Sequence, residues 1–185
     1  MDPELTDDDR RALGRFARAT LEAHLQASAS PDVPSQRAFE LRRGAFVSVR
    51  AHGALRGCLG RVPDDRPLGE VVRSLTIAAA SEDPRFPPMS LRELPHVEIE
   101  ISVLSAPLPL DPVDPLAIVV GRDGVIVRRG IMSGLLLPQV AVERGWSPED
   151  FLGAVCSKAG LPRLAWREPA TQVLTFFADV FGARR

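Results

Sequence analysis

The 185-residue sequence predicts an α+β fold: a mainly antiparallel sheet with helices packed on it. Three observations carry that reading. Strand-like segments arrive as adjacent pairs joined by short turns, and helical segments interrupt the pairs rather than following every strand. The stretch "HVEIEISVLS" alternates apolar and polar with period two, the mark of a strand with one covered face.

The first element is a helix. Thr6 caps it, Asp7, Asp8 and Asp9 suit its positive end, and Leu13, Phe16, Ala17, Leu21 and Leu25 recur at helical spacing. His24 lies beside that stripe as an edge residue. After the loop "SASPDVPS", the run "AFVSVR-AHGA-LRGCLG" reads as a hairpin turning at Gly53. A turn of two or four residues sets Val47 opposite Cys58 and Val49 opposite Arg56. Whatever its length, Arg56 and Cys58 share one face, and Leu55, Gly57 and Leu59 share the other.

"DDRPLGEVVRSLTIAAA" is the next helix, with Leu68, Val71, Val72 and Leu75 inward, and the prolines of "SEDPRFPP" end it. In "HVEIEISVLS", Val97, Ile99, Ile101 and Val103 take one face, Glu98 and Glu100 the other. "APLPLDPVDP" is a proline-rich connection too short for a domain linker. "AIVV-GRDG-VIVRRG" is expected to be a second hairpin turning at Asp123-Gly124, and "GLLLPQ" to add a strand. "SPEDFLGAVCSKAGLP" is a helix capped by Ser147, opened by Pro148 and stopped at Gly160, with Cys156 on its apolar side. "TQVLTFFADVF" closes the chain as a strand. The expectation is one domain over 1–185, its first helix within 1–30, with two hairpin units that faintly suggest a duplicated motif.

Composition bounds the function. A hydrophobic share of 45% and a charged share of 25% fit a globular domain, and the net charge of -1 gives no overall attraction to nucleic acid. No apolar run approaches the roughly 20 residues needed to cross a bilayer. The acidic start does not resemble a secretory signal, so a cytoplasmic location is expected. Two cysteines about a hundred residues apart form neither a disulfide framework nor a zinc pattern, and phosphate- or dinucleotide-binding glycine loops are lacking. No metal and no cofactor are expected.

Within "LRGCLG", Cys58 is the sharpest chemical candidate. Its thiolate would be favoured by a cation such as Arg56 on the same face, and the flanking glycines allow close approach of a ligand or of another backbone. The competing reading is a small buried residue, the glycines accommodating a helix. No histidine has an obvious route to it: His52 sits in the turn and His96 opens another strand. Glu98 and Glu100 pair on one strand face, either as an acid–base couple or as a solvated surface. Asp83 and Arg85 sit in a loop, where they would bind substrate or cap backbone donors. Gln139 would hydrogen-bond a ligand or pin its own loop.

Five stretches, "LRGCLG", "SEDPRFPP", "VEIEISVLS", "GLLLPQVAVERGW" and "FLGAVCSKAGLP", occur in the order and approximate spacing of the AMMECR domain family. The resemblance runs from about Phe39 to about Phe181, with Leu59 where the family usually has isoleucine. It implies an α+β fold with a larger and a smaller lobe. It also implies a setting, since prokaryotic members include protein A of the AmmeMemoRadiSam system, whose genes accompany a Memo-like protein and a radical S-adenosylmethionine protein. Such partners are expected to be separate chains.

The resemblance supplies no reaction. One expectation is an enzyme or enzyme subunit acting on a small molecule in a cleft by the LRGCLG strand, with Cys58, Glu98 and Glu100 catalytic and Arg56, Asp83, Arg85 and Gln139 binding. The rival is a non-catalytic module that docks the two partner proteins. Nucleic-acid binding is the weakest reading.

Overall fold

A computed structural model describes residues 4–62, 65–111 and 113–183. The chain forms two compact units. One is built from the chain up to Leu104 together with its end from Asp179, the other from Ser105–Ala178. These correspond to the larger and smaller lobes.

In the first unit, α1 (Asp7–Leu25) starts with Thr6 and Asp9 in a reciprocal capping box, so two otherwise unpaired backbone donors are satisfied. A four-residue helix, α2 (Arg37–Glu40), escaped the periodicity because it makes only one turn. Strands β1 (Ala45–Ala51) and β2 (Ala54–Arg61) form the expected hairpin on a His52-Gly53 turn. Both turn residues have positive φ, 53° and 78°, as a two-residue turn of this twist requires. Next come α3 (Leu68–Ser81), a 3₁₀ turn over Leu91–His96, and β3 (Val97–Leu104), which pairs antiparallel with β1. Helix α3 lies across β1 and β2, and α1 packs on α3. Val47, Val49, Val71, Val72, Leu75, Ile99 and Ile101 meet there in a core from which water is excluded.

The hairpin register differs from the expected one. The turn has two residues, but the pairing slips between Val49 and Arg50, so that Val47 faces Leu59, Ser48 faces Cys58 and Val49 faces Gly57. Arg56 is the extra residue of a bulge, which a count from the turn cannot foresee. The bulge also splits the face expected for Leu55, Gly57 and Leu59: Leu55 pairs with Arg50 and so lies on the Ser48–Cys58 side, while Gly57 and Leu59 pair with Val49 and Val47 on the other.

In the second unit, β4 (Leu108–Pro109) and β5 (Asp123–Arg129) flank the part of β7 (Gln172–Ala183) that precedes Asp179, and β6 (Met132–Leu136) pairs on the far side of β5. All four pairings just described that involve β1 or β5 are antiparallel, as is β4 on β7. Helices α4 (Pro138–Arg144) and α5 (Pro148–Lys158) complete the unit, α5 lying on β5 and β6 so that its Phe151 and Val155 cluster with Val125 and Val127.

The second hairpin is not where the sequence placed it. Residues 117–120 make no strand. Asp123 is buried, accepts a hydrogen bond from the Val119 N–H at 2.8 Å and pairs with Arg122 at 2.7 Å, so its carboxylate ties up the segment expected to be the first strand. The hairpin is β5–β6, turning at Gly130 and Ile131. The strand predicted for "GLLLPQ" ends at Leu136, and its Pro-Gln opens α4, Pro138 fitting a first helical position.

Candidate functional site

The LRGCLG strand lies at an edge of the sheet, where one row of its backbone groups lacks a partner strand. The loop after α3 fills that role. Asp83, buried at 4% exposure, accepts from the Cys58 N–H at 2.9 Å. Arg85 donates to the Cys58 carbonyl at 3.1 Å, and the two side chains pair at 2.6 Å. The predicted loop pair thus grips the predicted cysteine by its backbone. Ion pairing with Arg85 outweighs the cost of burial and holds the Asp83 carboxyl well below the usual carboxylate range.

A second clip lies alongside. Arg56 donates to Glu93 at 2.6 Å and reaches the Pro87 carbonyl at 3.4 Å. Glu93 also accepts from the Ser90 N–H and hydroxyl, and these bonds, the one from Arg56 foremost, push its pKa down to about 2. The Arg56 guanidinium is therefore occupied by a carboxylate. Both arginines of the site hold residues 83–93 against β2.

The glycines serve close approach by protein, not by ligand. A Cβ on Gly57 would lie 1.7 Å from the Ala79 carbonyl oxygen of α3, and one on Gly60 would lie 2.1 Å from the Phe46 ring. On the sheet face away from α3, the Ser48 hydroxyl donates to Cys58 Sγ at 3.1 Å. Cys58 is half-buried.

Glu100 stands on the other side of Ser48 in the register, making a cross-strand row Glu100–Ser48–Cys58. Glu98 is paired in register with Arg50, and Arg50, Glu98 and Glu100 share with Ile99 and Gly182 a hollow of about 470 Å³. Both glutamates thus face the surface that carries the thiol.

Gln139 belongs to the second unit, half-buried at the second residue of α4. His52 and His96, the histidines considered for a thiol base, instead stack on each other with centroids 4.1 Å apart. Cys156 is fully buried, and desolvation raises its thiol pKa, as its helical spacing foretold for a core residue. Among the described residues no cluster of three or more metal-ligating side chains occurs, and no described helix is long and apolar enough to cross a membrane.

Sequence reasoning missed two members of the site. Ser48 is the polar residue between Val47 and Val49, but only the bulged register brings it to the sulfur. Glu93 follows Ser90 by three residues, a visible capping-box signature, yet nothing local announces its bond to Arg56.

Comparison with known proteins places these motifs. The AMMECR1 family model matches residues 14–181, starting earlier than the motifs from Phe39 onward indicate, inside α1. A protein of Methanothermobacter thermautotrophicus is 44% identical over 183 residues, covering 96% of this chain and 95% of the relative. A Thermofilum pendens protein is 44% identical over 193 residues, 96% of this chain and 91% of its own. The crystal structure of protein PH0010 from Pyrococcus horikoshii superposes with a TM-score of 0.83 at 38% identity, covering 96% of this chain and 93% of that one.

Proposed function

The chain belongs to the AMMECR1 family, and from that premise we propose that it is an enzyme, or an enzyme subunit, that acts on a small molecule through Cys58. The observation that carries this reading is the constraint on one residue: a hydroxyl donor on its sulfur, a carboxylate on its N–H and a guanidinium on its carbonyl. The two backbone bonds close the open strand edge around Cys58 and the hydroxyl bond engages the sulfur itself, and a reacting atom gains from being held in position.

The chemistry follows from the groups at hand. Sγ forms a bond to an electrophilic carbon, the leaving group departs with the electron pair, and the thiol proton passes to a carboxylate, Glu100 lying across Ser48 in the register. Arg56, Asp83 and Arg85 then act as positioning residues, since each is already bonded within the protein. Gln139 takes no part in this reading.

A second reading has its own support. Because Arg56 and Arg85 are neutralised by Glu93 and Asp83, neither is free to bind an anionic substrate, which favours a surface that docks the Memo-like and radical S-adenosylmethionine proteins. One experiment separates the two. The folded chain is incubated with a small-molecule fraction of cells and examined by intact mass and peptide mapping. The enzyme reading expects a covalent adduct on Cys58 that Cys58→Ser removes; no adduct, with a Memo-like partner still captured by wild type and lost in Arg56→Ala, overturns it for the docking reading.

A further inference from the structure

The hollow beside the thiol row holds charges that the protein does not use. Arg50 and Glu98 stand opposite each other on β1 and β3, and Glu100 stands opposite Ser48 one row along. Val49 and Ile99 enter the core, so strand alternation sets these three charged side chains on the other face of the sheet. All three line the hollow of about 470 Å³, together with Ile99 and Gly182. Arg50 and Glu100 are half-buried. Yet none of the three side chains has a hydrogen bond or an ion pair among the described residues. Other arginines of this unit are engaged: Arg10, Arg18, Arg56 and Arg85 each hold a carboxylate.

A second observation points to the same place. Gly182 lies in β7, and glycine weakens a strand unless something comes close to its backbone. The other strand glycines have that reason inside the protein. A Cβ on Gly57, Gly60, Gly124 or Gly134 would lie 1.7, 2.1, 2.2 or 2.7 Å from a neighbouring residue. On Gly182 it would meet only the Ile99 carbonyl oxygen, at 3.7 Å, among the described residues. Gly182 is not one of the glycines with positive φ either. Phe181 packs on the core, so Gly182 faces the other way, toward the side of Glu98 and Glu100. What its missing side chain provides there is room.

We propose that this hollow binds the head group of a free amino acid, its carboxylate on Arg50 and its ammonium on Glu98, above the bare backbone of Gly182. Both signs of charge are required. A simple anion would meet Glu98 and Glu100, and a simple cation would leave the guanidinium unpaired. A guanidinium takes a carboxylate through two parallel hydrogen bonds, which are among the strong ones. In a peptide the ammonium and carboxylate lie on different residues, so the free amino acid is selected over a chain. The inference names a substrate class for the thiol reading and rests on that reading for the fate of the bound molecule. From the hollow, the row Glu100–Ser48–Cys58 crosses two strand spacings, roughly 10 Å. The substrate's side chain runs along that row and presents its electrophilic carbon to Sγ.

L-Norleucine is the probe, because its plain alkyl side chain follows the row without reacting. Hexanoate is the same molecule without the amine, and pentylamine the same without the carboxylate. In the ¹⁵N-labelled chain, the amide signals of Arg50, Glu98 and Gly182 should move saturably with millimolar norleucine and far less with either control. Glu98→Gln and Arg50→Gln should each weaken norleucine on the order of tenfold. Gly182→Leu fills the hollow and should abolish binding while the melting temperature is kept. Absent shifts, equal response to the three probes, or undiminished affinity in Glu98→Gln or in folded Gly182→Leu would overturn the proposal. The two readings fail separately. Norleucine bound equally well by Cys58→Ser, with no adduct ever formed on wild-type Cys58, keeps the head-group site and removes the thiol chemistry. An adduct on Cys58 without norleucine binding removes the head-group site alone.

Discussion

The two hairpins share one packing arrangement and put it to different ends. In each, a glycine of the second strand is pressed by the end of a helix: Gly57 of β2 by Ala79 of α3, and Gly134 of β6 by Ala159 of α5. A further glycine in each unit lies under a phenylalanine ring, Gly60 under Phe46 and Gly124 under Phe176. The difference begins where the helices end. After α3 the chain returns with Asp83 and Arg85 to hold the edge of β2. After α5 it turns through Gly160, the Leu161 N–H bonding the Cys156 carbonyl, and its next charged residue, Arg163, pairs with Asp150 of α5 rather than with a strand. One cysteine sits half-buried on a strand, gripped by polar groups; the other sits sealed inside a helix face. Similar backbone packing therefore implies nothing about a site, which arises from the polar side chains added to it.

The strongest way to break the parallel is at the glycines. Gly57→Ala puts a Cβ 1.7 Å from a backbone oxygen that only a shift of the helix can relieve, so a loss of about 3 kcal/mol or more is expected in urea unfolding. Gly134→Ala meets the Ala159 nitrogen at 2.7 Å and should cost less, about 1–2 kcal/mol. Equal costs would mean that the two helices are equally free to give way.

Next in size is the clip. Asp83→Ala removes the acceptor of the Cys58 N–H and the partner of Arg85, and should destabilise by about 2 kcal/mol. It should also raise amide hydrogen exchange at Cys58 while leaving β5 protected. Unchanged exchange at Cys58 would show that the loop merely covers the strand.

Acid tests the same clip without mutation. Asp83 and Glu93 both have folded pKa values below their ordinary 3.8 and 4.5, Glu93 at about 2. The unfolded chain therefore takes up protons first. The stability these groups contribute is complete above about pH 5 and is lost as pH falls through the folded values. Exchange protection in β2 should decline below pH 4 before that in β5. Simultaneous loss would place the acid-sensitive groups elsewhere.

The smallest effect is expected from Ser48→Ala, under about 1 kcal/mol in stability but with a several-fold change in the alkylation rate of Cys58 that Ser48→Thr largely restores. An unaltered rate would make the 3.1 Å contact incidental.

Much of this architecture was legible because local signals agreed. Thr6 with its three aspartates, the alternation around Ile99 and Ile101, and the Ser147-Pro148 start of α5 each pointed to one element, and each formed. The second hairpin was misread because Asp123-Gly124 carries a strong turn signature, while the competing local arrangement, a buried carboxylate bonded to the Val119 N–H four residues back, leaves no trace in apolar spacing. The face expected for Leu55 with Gly57 did not survive the bulge, because a residue inserted at Arg56 breaks the alternation along the strand as well as the pairing across it. The partners of the site were not legible: Arg56 finds Glu93 37 residues away and Cys58 finds Asp83 25 residues away, through a loop whose path no periodicity describes.

The central claim is that the two thiols differ in kind, and their relative alkylation in the folded chain tests it most directly. With iodoacetamide near neutral pH and peptide mapping at timed intervals, Cys58 should be modified at least tens of times faster than Cys156, whose burial and raised pKa suppress the thiolate that reacts. Two thiols equally inert until denaturant is added would contradict the account, and would make Cys58 a packing residue held by an unusually polar frame.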